Sequence, residues 1–90
     1  MATPISGQAT VTAAGTAEQL ADQGVGRFAI KALAGNTDVL VLGNDDAGDV
    51  TTSNGFELSA KEGIVFAGNM NELWADVAVS GEGYCWLRLQ

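Results

Sequence analysis

Histidine is absent from this 90-residue chain. That removes the usual general base at neutral pH, every imidazole-dependent serine or cysteine triad, and the commonest metal ligand. Cysteine occurs once, at Cys85, so no intramolecular disulfide and no thiolate zinc site can form. Its setting, "YCWLRL", is one where cysteine behaves as a small hydrophobe. Positive charge is scarce: Arg27, Lys31, Lys61 and Arg88 stand against eleven acids, for a formal net charge of −7. Four dispersed cations leave no footprint for neutralising phosphates or gripping an anionic bilayer, so neither nucleic acid nor a membrane is an expected partner. No apolar run approaches the ~20 residues of a membrane-spanning helix. The opening "MATPISGQAT" lacks the basic start and apolar core of a secretion signal, and a soluble chain made in a cytoplasm is expected. Neither a G-x-x-x-x-G-K-[ST] phosphate loop nor a G-x-G-x-x-G turn opening a helix occurs. Acids scattered over loops will place two carboxylates at glycosidase spacing by chance. Neither catalysis nor a cofactor is expected.

What the chain does have is punctuation. It is 47% apolar and 17% charged, the balance of a globular protein. Glycine and asparagine recur at short intervals, as Gly35-Asn36, Gly43-Asn44, Asn54-Gly55 and Gly68-Asn69. Between them lie short runs such as "RFAIKAL", "DVLVLG", "GIVF" and "YCWLRLQ". Short runs with turn signals about every ten residues predict an all-β fold: a small antiparallel β-sandwich or barrel, jelly-roll-like, of about seven or eight short strands. Residues 1–14 form either an amino-terminal arm or a first strand, and 15–90 a single β-domain. Little room remains for helix. "AEQLADQ" and "NMNELW" each read as a helical turn, a loop or a short strand. A domain this small buries only about 60–68% of its unfolded surface, so neighbours would help it.

Asn54-Gly55 tolerates the positive φ of a tight hairpin, and "SAKEG" offers a longer turn. Together they predict "VTT", "FEL" and "IVF" folded back on one another. The last ribbon carries a sharper expectation. Leu73, Ala75, Val77 and Val79 share one face, as do Cys85, Leu87 and Leu89; Trp74, Asp76, Tyr84, Trp86 and Arg88 lie on the opposite faces. A three-residue loop, Gly81-Glu82-Gly83, aligns the two aliphatic faces, because a slip by one residue would reverse every side chain. That register sets Asp76 opposite Arg88 and Ala78 opposite Trp86. A face of Trp74, Tyr84, Trp86 and Arg88 has the composition of an interface centre. Alternatively, these aromatics face a second sheet and the aliphatic side covers something else. "GNDDAGDV", residues 43–50, is the densest acidic patch. It is either a solvated turn or an oxygen-rich calcium loop, although its spacing departs from the helix-loop-helix calcium pattern.

The order "IKALAGNTDVLVLGN", "VTTSNGFELSAKEGIVF" and "NELWADVAVSGEGYCWL" resembles a group of small β-structured virion proteins of tailed bacteriophages. The resemblance covers roughly residues 28–87 and departs at Ala34, where similar sequences carry proline. It implies a structural protein of the head: a decoration (cement) protein on the outer capsid surface, made in the bacterial cytoplasm. The implied partners are itself, as a homotrimer, and the major capsid protein. The alternatives are a carbohydrate- or receptor-binding module of a fibre or tail, and a tail or connector subunit. In the sugar-binding case Trp74, Tyr84 or Trp86 would be exposed for stacking.

Overall fold

Phe28, Ile30 and Ala32 are buried while Val25, Arg27 and Lys31, at the odd positions of the same run, are exposed. This period of two makes a strand with one wet face. The computed structural model describes residues 5–43 and 50–90. Eight strands run through them: β1 (Ser6–Thr10), β2 (Glu18–Gln19), β3 (Val25–Ala32), β4 (Leu40–Gly43), β5 (Phe56–Leu58), β6 (Gly63–Asn69), β7 (Trp74–Val77) and β8 (Gly83–Arg88). They form two four-stranded sheets, ordered β1-β8-β3-β6 and β2-β7-β4-β5, and every pairing is antiparallel. The first strand pairs with the last, the second with the seventh, the third with the sixth and the fourth with the fifth. That is one long antiparallel ribbon rolled upon itself, the jelly roll.

The two inner faces meet in a single core. Phe28, Ile30, Tyr84 and Trp86 enter from the first sheet, and Leu40, Leu42, Ala75 and Val77 from the second. Trp86 meets Phe28 edge-on, with ring centroids 6.1 Å apart and an interplanar angle of 79°. Gly7 lies opposite Trp86 in the ladder. A Cβ there would come within 2.9 Å of the indole, so glycine makes room for the ring.

Ser6–Thr10 is a strand of the first sheet. In "AEQLADQ" the local structure is the two-residue strand β2. In "NMNELW" it is a 3₁₀ turn, Met70–Glu72. Asn69 caps it by accepting from the Asn71 amide at 3.2 Å, and Glu72 accepts from the Asn69 amide at 3.0 Å. This is the capping-box exchange.

Three local pairings expected from sequence do not occur. Residues 50–52 form no strand. Instead Asn54 and Gly55 donate their amides to the Thr51 carbonyl at 3.1 and 2.9 Å. Gly55 is glycine because of a close approach: a Cβ would sit 2.6 Å from Val41 Cβ. β5 and β6 fall in different sheets. The turn joining them places Lys61, not a glycine, at positive φ (73°). Nor do β7 and β8 pair. They belong to facing layers, so Asp76 and Arg88 are not cross-strand neighbours. The physical reason is that the aliphatic face of β7 finds its apolar partner across the core, in the aromatic face of β8. Adjacency within one sheet was not needed to bury both.

Candidate functional site

The five residues proposed from sequence as one interface are dispersed by this crossing. Tyr84 and Trp86, 5% and 7% exposed, point into the core from the first sheet. Burial, and then the charge of Glu18, push the Tyr84 hydroxyl above its ordinary pKa, against the backbone of Ala21. Trp74 is half-buried on the second sheet opposite Gly43. Arg88 stacks over the Phe28 ring at 4.9 Å and donates to the carbonyls of Gln23 and Gln90. Arg88 is therefore a clasp at the end of the core. Of the three aromatics considered for sugar stacking, Tyr84 and Trp86 are inside and Trp74 is half-buried on the outer side of the second sheet.

Asp76 is 1% exposed although it sits opposite Val41 on the outer side of the second sheet. Its Oδ1 accepts from the amides of Gly15 at 2.9 Å and Val77 at 2.8 Å. The carboxylate thus pins the segment after β1 across that sheet. Asp76→Ala would leave the Gly15 amide without its partner and should cost about 1–3 kcal/mol in urea unfolding, with no change in β content. Val50 and Gly55 cover Val41 on the same side. The outside of the second sheet is thereby largely closed by the chain's own loops.

Among the described residues nothing comparable covers the centre of the first sheet's outside. The register sets Ser6, Leu87, Ala29 and Val65 in one row and Gln8, Cys85, Lys31 and Gly63 in the next. Val65 is 61% exposed, and Leu87 is exposed on the other side of Ala29. No aspartate or glutamate occupies an outward position on these four strands. Arg27 and Lys31 project from β3, and Lys61 stands at the entry to β6. Ala29, Lys31, Lys61, Val65, Cys85 and Leu87 line an open groove of about 500 Å³. Three of the chain's four cations therefore stand around one apolar strip, and no acid takes an outward position on its strands.

Sequence reasoning passed over Val65, Leu87, Lys31 and Lys61 as a group. The signal was available in β3, where Arg27, Ala29 and Lys31 alternate with core residues. What it lacked was knowledge that β8 lies beside β3.

At the rim, Glu82 accepts from the Thr37 amide at 2.6 Å, the Thr37 hydroxyl at 2.7 Å and the Asp38 amide at 3.2 Å. The Thr37 hydrogen bonds hold this carboxyl below its ordinary pKa. Its stabilising effect is therefore present above the unfolded carboxylate range and fades as the pH falls through the depressed value.

Among the described residues no three His, Cys, Asp or Glu side chains gather to hold a metal ion. Of the acidic patch at 43–50, residues 44–49 lie outside the described residues. Among those residues, too, no helix is long and apolar enough to cross a membrane. Compared with known protein families, with curated proteins and with solved structures, the chain matches none.

Proposed function

We propose that this chain is a structural protein of a tailed-phage virion, a decoration subunit that binds the outer head shell and stabilises it. It acts by contact and not by chemistry, with itself and the major capsid protein as partners. One observation carries the proposal: the sandwich closes the outside of one sheet with its own loops and leaves the other as an apolar, acid-free face. Such a face suits permanent contact with protein, since exposed apolar strips rimmed by polar groups mark interaction surfaces. The jelly roll alone does not choose this role, because capsid, lectin and enzyme domains share it. The choice of the shell comes from the strand-and-turn resemblance over residues 28–87. Many modest contacts repeated by symmetry would give avidity without a strong single site.

Quantitative mass spectrometry of purified phage particles whose genome encodes this chain tests the role. A head-lattice protein is expected on the order of hundreds of copies per particle, as repeated symmetric placement requires. A handful of copies would assign it to a vertex or tail, and absence from the particle would end the proposal.

A further inference from the structure

We infer that the bare face of the first sheet receives a second copy of this chain, head to tail, through the exposed Phe56 and Glu57 of β5. The contact deepens the self-association included in the decoration role and rests on it. Lys31 and Lys61 line the groove and Arg27 projects one outward row away on β3, so three positive charges stand on this face, with no acid at the outward strand positions. Two such faces pressed together would bring six cations into one interface, which charge repulsion opposes. The partner surface must be apolar and acidic.

The same chain supplies one. Phe56 is 60% exposed at the end of β5, and Glu57 beside it is exposed as well. β5 is the edge strand of the second sheet, with β4 as its sheet neighbour. Successive side chains of a strand point to opposite faces, but an edge-on approach presents both. The Phe56 ring can enter the groove between Val65 and Leu87 while Glu57 meets Lys31 and Lys61. Because the two patches differ, the contact is heterologous: it closes into a ring if the rotation permits and otherwise continues as a chain.

Charge swapping tests this. Sedimentation velocity over a range of concentrations should show the native chain associating. Lys31→Glu combined with Lys61→Glu should weaken association about 10- to 100-fold, and Glu57→Lys should do likewise, as like charges then face each other. Mixing the two variants should restore association, because each now offers the charge the other needs. Phe56→Ala, at an exposed position, should weaken it with thermal melting unchanged. Melting curves of every variant verify that the fold survives.

Association that ignores Glu57→Lys would overturn this contact while leaving self-association intact, as for a face-to-face dimer. A native chain that stays monomeric throughout would overturn both the contact and the homo-oligomer. Binding of phosphatidylglycerol vesicles through Lys31 and Lys61 by such a monomer would reassign the face to a lipid surface.

Discussion

Gly83→Ala is expected to destabilise the fold by about 4 kcal/mol or more, the range reserved for severe steric or polar faults. A Cβ at this position would lie 2.0 Å from the Ala9 carbonyl oxygen and 2.7 Å from Thr10 Cα. Both obstacles are backbone, so no rotamer change can relieve them. The surrounding chain is also committed. The Gly83 carbonyl accepts from the Leu33 amide at 3.0 Å and from Asn36 Nδ2 at 2.8 Å, and its amide donates to Asn36 Oδ1 at 3.1 Å. Buried Asn36 thereby imitates a neighbouring strand at the point where the chain crosses from one sheet to the other. Moving Gly83 to clear Ala9 would break these bonds, and leaving it would force β1 off β8. Gly35→Ala is the control, since nothing lies within 4 Å of a Cβ there. Guanidinium unfolding of the two variants should show a large loss for the first and little for the second. A Gly83→Ala chain as stable as the native one would mean that β1 does not pair with β8 as described.

The second large effect belongs to Trp86. Removing a buried tryptophan to alanine costs about 3–5 kcal/mol, through lost transfer energy and an unfilled cavity. Trp86→Ala should therefore lower the unfolding midpoint strongly in a dilute, unassociated sample. Trp74→Ala, at a half-buried position on the second sheet, should cost less. The neighbour across the ladder makes the test more specific. Gly7→Ala alone crowds the indole at 2.9 Å, whereas in a Trp86→Phe background the crowded ring atoms are gone. The two substitutions should be non-additive, with the Gly7→Ala penalty shrinking in the double variant, as expected for residues in direct contact. Additive losses would place Trp86 somewhere other than over Gly7.

These residues also mark what could be read before the structure. The strand content and the two-faced alternation of β3 were legible, because period-two burial leaves a direct trace in sequence. The pairing was not. In most small β-folds a turn signal between two short strands predicts a hairpin, but in a rolled ribbon nearly every connection crosses between sheets. "SAKEG" and Gly81–Gly83 carry convincing turn residues, and both carry the chain from one layer to the other. β8 posed a second difficulty. Tyr84 and Trp86 on one side and Cys85 and Leu87 on the other are all apolar enough to be buried, so composition could not choose the inward face. The choice is made by Phe28, Gly7 and the span of the core, which only long-range pairing brings together. The candidate interface was dispersed for that reason: Tyr84 and Trp86 fill the core while Trp74 stays outside it, and the aliphatic row left outside became the surface of interest.

The proposed decoration role requires the outer face of the first sheet to be buried when the protein assembles. Cys85 stands in that face, in the row of Lys31 and beside Leu87, and serves as a native reporter. The most direct measurement is the rate at which N-ethylmaleimide alkylates Cys85 in the dilute free chain and in the assembled protein. Slow alkylation on assembly, returning to the free rate when the assembly is diluted apart, is the predicted result. An equal rate in both states, with assembly verified by sedimentation, would show that the face stays open to solvent and that the contact is made elsewhere.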